Sequence, residues 1–171
     1  VLEALRKGEA GDGLRLSLAL EAFSHTASYD SAISAYLEGL GAGGEMFPPA
    51  LHISVKRAQV LRYGENPHQR AAFYTDPAVT GPCVGNAVQL WGKELSYNNI
   101  LDLNAAFEIV REFKDPTAVI IKHNNPCGCA CAGSLAEAYK KAFEADPVSA
   151  FGGIVALNRV VDAATAGEMV K

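Results

Sequence analysis

The chain has 171 residues, 49% of them hydrophobic and 20% charged, the composition of a globular chain long enough to bury a core. Its formal net charge is −4 with no Lys/Arg block, so a broad basic face for nucleic acid is excluded, though a small anion pocket stays open. No apolar run approaches the ~18 residues of a membrane helix, and no basic-then-apolar leader opens the chain.

Val1 is not Met, and "DAATAGEMVK" reads as a helix still running at Lys171, so the expectation is a piece of a longer protein. Residues 14–40 read as helix, with Leu16, Leu20, Phe23, Ile33, Tyr36, Leu37 and Leu40 at three-to-four spacing. Asp30 or Ser31 could cap a second helical segment there. "GAGGEMFPPA", residues 41–50, crowds Gly and Pro into a linker, which sets the expected domains at 1–50 and 51–171. "LHISVKRAQV" alternates as a strand before the polar loop "RYGENPHQ", and "GNAVQLWGKELSYNNI" offers a short strand and a loop. "LDLNAAFEIVREF" puts Leu101, Ala105, Ile109 and Phe113 on one helical face, with Asn98 or Asn99 near its start. Residues 117–121, "TAVII", are a buried strand by run length. "SLAEAYKKAFEAD" is a helix with Ser134 as N-cap and Glu137 three residues on. "SAFGGIVAL" turns on two glycines into another buried strand. Strand, helix, strand, helix, strand argues an α/β fold with at least partly parallel pairing.

Five constellations carry possible chemistry. In "IKHNNPCG", Lys122 and His123 fall where a buried strand ends, the place ligands favour in α/β sheets. Pro126 and Gly128 are expected to close that turn. A lysine can hold a developing oxyanion, a histidine can move a proton near neutral pH, and Asn124 and Asn125 add amide donors and acceptors. The bland alternative is a loop whose Asn side chains satisfy backbone groups. In "RYGENPHQ", Arg62 could grip a phosphate or carboxylate and Tyr63 could stack on a base, with Asn66, His68 and Gln69 nearby; a surface turn explains the same residues. The glycines of "SAFGG" could bring backbone amides to an anion, but the stretch is neither a Walker loop nor a spaced dinucleotide fingerprint, and a tight loop is the simpler reading.

"CGCAC" holds Cys127, Cys129 and Cys131, with Cys83 apart. It lacks the gap and the second half of a structural zinc site, and it does not match the zinc-deaminase pattern, because Asn125 stands where Glu would be. No metal is expected, and reduced thiols in a cytoplasmic protein are. Lastly, His25 in "FSHTASYD" reads as a packing residue of a mostly apolar helix rather than part of a site with Thr26, Tyr29 and Asp30.

"LRYGENPHQRAAFY", "LSYNNILDLNAAFEIVREF", "AVIIKHNNPCGCA" and "DPVSAFGGIVALNR" stand in an order and spacing that resembles the bacterial bifunctional purine biosynthesis family. That family joins phosphoribosylaminoimidazolecarboxamide (AICAR) formyltransferase to IMP cyclohydrolase. "AFSHTASYDSAISAYL" is similar to the last helices of its cyclohydrolase domain. The resemblance implies the helical tail of a methylglyoxal-synthase-like domain in residues 1–50. It implies the first part of a zinc-free, cytidine-deaminase-like α/β/α formyltransferase region in 51–171. It further implies formyl transfer from the co-substrate 10-formyltetrahydrofolate to AICAR, then closure to IMP, in a homodimer with shared active sites. By position, His123 matches the general base and Lys122 the transition-state stabiliser. Arg62 and Tyr63 match the AICAR-binding pair, and Gly152 a backbone contact to substrate. Asn98, Asn99, Asn124 and Asn125 are further substrate contacts. A piece of this length is expected to be inactive alone. The competing readings are a non-catalytic nucleotide-binding module and a thiol-metal protein.

Overall fold

The computed structural model describes residues 1–9, 11–40, 47 and 50–171. Contacts divide the chain into two units, Val1–Val55 and Lys56–Lys171. The linker expected at 41–50 lies, but for Phe47 and Ala50, outside the described residues.

In the first unit a short helix, α1 (Leu2–Arg6), precedes α2 (Asp12–Leu40). The helical period of 14–40 is realised, but as one uninterrupted helix. Asp30 and Ser31 lie inside it and cap nothing, because the surrounding residues keep helical hydrogen bonding through them. The apolar stripe of α2 is not buried within the unit: Leu16, Phe23 and Tyr36 are exposed. His25 is exposed as well, so the expectation that it packs in a core is corrected: among the described residues, no second element of its own unit covers that face.

The second unit is mixed α/β. Strands β1 (Lys56–Val60) and β2 (Ala72–Thr75) pair antiparallel and flank the loop 61–71. No strand forms in 84–96; a 3-10 turn, Val84–Asn86, and irregular chain lead to α3 (Tyr97–Val110). The N-cap of α3 is Ser96, not an asparagine: its Oγ accepts the Asn99 N–H, and the Asn99 side chain accepts the Ser96 N–H in return.

The main sheet has β3 (Thr117–Lys122) in the centre, flanked by β4 (Asn125–Cys131) and β5 (Ile154–Leu157). Both pairings of β3 are antiparallel, which corrects the expected parallel pairing. The reason is β4. Its Asn, Pro, Cys, Gly and Ala residues carry no strand signal, yet it doubles the chain back before the helix α4 (Leu135–Ala145) begins. The crossover through α4 therefore joins β4 to β5, which run in the same direction with β3 between them.

The sheet is covered on both faces, which is why β3 reads as a continuous apolar run. Val119 and Ile121 pack against Ala106 and Val110 of α3 on one side. Ala118 and Ile120 pack against Ala138 and Ala142 of α4 on the other. These side chains are essentially sealed from solvent. Ser134 caps α4 through the Glu137 N–H as the sequence indicates. A four-residue helix, α5 (Pro147–Ala150), and α6 (Ala163–Met169) complete the unit; α6 stops two residues before Lys171. Among the described residues no helix is long and apolar enough to cross a membrane.

Candidate functional site

The β3–β4 connection is a two-residue hairpin turn. Lys122 pairs with Asn125, and the turn consists of His123 and Asn124, both with positive φ (52° and 63°). This is the left-handed geometry of a type I′ turn, which usually recruits glycine. The expectation that Pro126 and Gly128 close the turn is corrected: both lie in β4. Pro126 is tolerated because β4 is an edge strand with an irregularity there, Ile120 facing Gly128 and Ile121 facing Pro126. Gly128 is needed for another reason. The Ala142 backbone of α4 sits directly on it, in space a Cβ would occupy.

Lys122 is the half-buried last residue of β3, and its Nζ donates to the Phe151 carbonyl at 2.9 Å. That bond ties the end of β3 to the glycine turn before β5. Gly152 is exposed there with φ 73°, and Gly153 packs so closely that a Cβ would lie 2.9 Å from the Ile121 carbonyl oxygen. Asp146, the N-cap of α5, is held below the usual carboxylate range. Hydrogen bonds from Ser149 are the main cause, and the Lys122 charge adds to it.

His123 is exposed; its carbonyl accepts from the Asn125 side chain at 2.9 Å. The Asn124 N–H donates to Asp102 Oδ1 of α3 at 2.6 Å.

The loop 61–71 is closed on itself. Gly64 N–H donates to the Gln69 carbonyl at 2.9 Å, and Asn66 N–H to Gln69 Oε1 at 2.8 Å. Its only side-chain bond to another element, among the described residues, is from Asn98 Nδ2 to the Glu65 carbonyl at 3.0 Å. Arg62 is exposed, with its guanidinium 5.2 Å from the centre of the half-buried Tyr63 ring. A hollow of about 340 Å³ lies beside this loop, lined by Gly64, Glu65, Gln69, Arg70 and Tyr97. Gly152 lines a different hollow, of about 620 Å³, with Phe151, Lys140 and Tyr139.

Hydrogen bonds thus link four segments far apart in sequence: the 61–71 loop to the start of α3, α3 to the hairpin turn, and β3 to the glycine turn. Asn98, Asn99 and Asn125 each commit part of their amide to holding backbone within this framework. Asp102, Ser96 and the Phe151 carbonyl were not legible as participants. Ser96 could have been found from its spacing to Asn99; Asp102 and Phe151 act through contacts that only the fold creates.

The three crowded cysteines do not act alike. Cys127 Sγ donates to the Ile120 carbonyl at 3.4 Å, and Cys131 Sγ lies 3.0 Å from the Thr117 hydroxyl. Burial, then the neighbouring Cys131, pushes the Cys129 thiol up from its ordinary range.

A sheet covered by helices on both faces, with Lys122 at the end of its central strand and His123 and Asn124 on the turn that follows, defines a mixed α/β protein. The chain belongs to the AICARFT/IMPCHase bienzyme family, whose model matches residues 1–171. It is 54% identical over 159 residues to the bifunctional purine biosynthesis protein PurH of Rhodopirellula baltica, covering 93% of this chain and 30% of that one. It is 51% identical over 172 residues to PurH of Thermoanaerobacter sp., covering 100% of this chain and 33% of the relative. PurH of Listeria innocua is 55% identical over 157 residues, 92% of this chain and 30% of its own. The chain therefore spans about a third of the length of these relatives.

Proposed function

We propose that this chain is part of a bifunctional enzyme of purine biosynthesis. That enzyme moves a formyl group from 10-formyltetrahydrofolate to the 5-amino group of AICAR and then closes the product to IMP. Residues 51–171 are the first part of a cytidine-deaminase-like formyltransferase region, and 1–50 the helical end of a methylglyoxal-synthase-like cyclohydrolase domain. The enzyme works in the cytoplasm as a homodimer whose active sites are shared between chains, so this chain alone does not turn over. Family membership and relatives named for purine biosynthesis support the reading.

The observation that carries it is the hairpin turn, which presents Lys122 and His123 at adjoining positions at the end of β3. The amine of AICAR is a poor nucleophile because its lone pair is delocalised into the imidazole and carboxamide. His123 removes the amine proton as nitrogen attacks the formyl carbon, and Lys122 stabilises the oxyanion that develops there; collapse of that adduct breaks the bond from the formyl carbon to N10, and tetrahydrofolate leaves as N10 takes up the proton held by His123. Arg62 and Tyr63 hold AICAR through ionic and stacking contacts. Gly152 offers its backbone, and the amide groups of Asn98, Asn99, Asn124 and Asn125 that are not engaged with the framework complete the substrate contacts. In the full-length protein, His123→Ala lowers formyl transfer at least ~100-fold. Near-normal turnover of that variant would remove His123 from the mechanism, and AICAR binding without transfer in the unmutated protein would favour a binding module instead.

A further inference from the structure

We infer that Asp102 is a positioning residue for formyl transfer, one that sets the backbone from which His123 is displayed; the inference rests on the role given to His123 above. Asp102 lies one helical turn before Ala106 and two before Val110, so it continues the stripe of α3 that packs on Val119 and Ile121 of β3. At the end of the strand that stripe runs past the apolar core and reaches the hairpin turn. There the half-buried carboxylate accepts the Asn124 N–H at 2.6 Å, a short, charge-assisted bond.

The turn needs such an anchor. His123 and Asn124 both occupy the left-handed region, where a two-residue hairpin normally carries glycine. Neither residue reaches that geometry without cost, and strained backbone of this kind persists only where its surroundings over-determine it. Two contacts do so here: the Asn125 side chain on the His123 carbonyl, from within the hairpin, and Asp102 on the Asn124 amide, from across the fold. Among the described residues, the second is the side-chain contact that references the turn to the scaffold. A turn released from α3 would leave the imidazole attached but misaimed, and small displacements of a reacting group cost large factors in rate.

The test uses the full-length enzyme carrying Asp102→Ala and, separately, Asp102→Asn, which keeps an acceptor oxygen. Asp102→Ala is expected to lower kcat for formyl transfer at least tenfold with KM for AICAR within threefold. Exchange of the Asn124 amide, read by mass spectrometry at residue resolution, becomes at least tenfold faster. Asp102→Asn recovers kcat to within threefold of the unmutated enzyme, and IMP formation from the formylated intermediate is unchanged in both variants. Faster Asn124 exchange with unchanged kcat overturns the inference. So does a parallel fall of both activities, which would mark a folding role. His123→Ala measured alongside separates the two claims. Its near-normal turnover removes the underlying reading, whereas a loss there with none in Asp102→Ala removes the positioning role alone.

Discussion

Gly128 is where the packing of α4 on the sheet is most demanding, and Gly128→Ala tests it. A Cβ at this position would lie 2.8 Å from the Ala142 carbonyl carbon and closer still to its oxygen. Both belong to helix backbone and cannot swing aside, so α4 must withdraw from β4 by the order of an ångström. Withdrawal loosens Leu135, Ala138 and Ala142, all buried beneath the helix. A gap of that size forfeits a quarter to a half of the local contact energy, about 1–2 kcal/mol of the ~4 kcal/mol those three side chains contribute. Residual overpacking adds about 1–3 kcal/mol. The expected loss of about 2–5 kcal/mol is a large share of the total stability of a typical domain, and it lowers Tm by roughly 5–20 °C. Gly133→Ala is the control, since nothing lies within 4 Å of a Cβ there; its Tm should move by no more than about 2 °C. Thermal and urea unfolding followed by circular dichroism read both variants. A Gly128→Ala midpoint indistinguishable from that of Gly133→Ala would refute the close approach of α4 to β4.

Ser96→Ala removes one half of the reciprocal cap on α3 and should destabilise the chain by about 1 kcal/mol, with amide exchange rising first in residues 97–100. Uniform exchange across α3 would contradict the cap. Asp146 has its carboxylate pKa lowered by hydrogen bonds from Ser149. Its stabilising contribution is therefore complete above the ordinary carboxylate value and is lost as pH falls through the depressed one. Asp146→Ala should accordingly flatten the decline of Tm below about pH 4, and an unchanged acid limb would argue against the cap. For Cys129, whose thiol is shifted upward by burial and by Cys131, the alkylation rate should rise with a midpoint above the free-thiol value of ~8.5. Site-resolved mass spectrometry after iodoacetamide treatment checks this, and a midpoint at or below that value would count against it.

Elements whose own residues carried a signal were legible in advance. The 3.6-residue period made α2 and α3 visible, the Ser134–Glu137 spacing marked the start of α4, and four apolar residues in a row, Ala118 to Ile121, marked β3. For the candidate site, the sequence offered residue types: a lysine, an imidazole and amides at the end of a buried strand. It did not offer their frame. Pro126 and Gly128 looked like turn residues, yet the turn fell on His123 and Asn124 because pairing Lys122 with Asn125 left only two residues to reverse the chain. The strand β4 was invisible because its composition has no β preference. It forms because β3 presents an open edge on one side and α4 seals it from above, with a glycine admitting the helix backbone.

The sequence by itself determined the local propensities, the apolar faces and the family to which the chain belongs, since those are written in residue order and spacing. Tertiary structure alone decided strand direction, the left-handed turn beneath His123, and the bonds from Asn124 to Asp102 and from Lys122 to Phe151. These join residues separated by 22 and 29 positions. Whether such groups meet depends on how helices stack on a sheet, and the packing that brings them together is set by the whole core and not by any one segment.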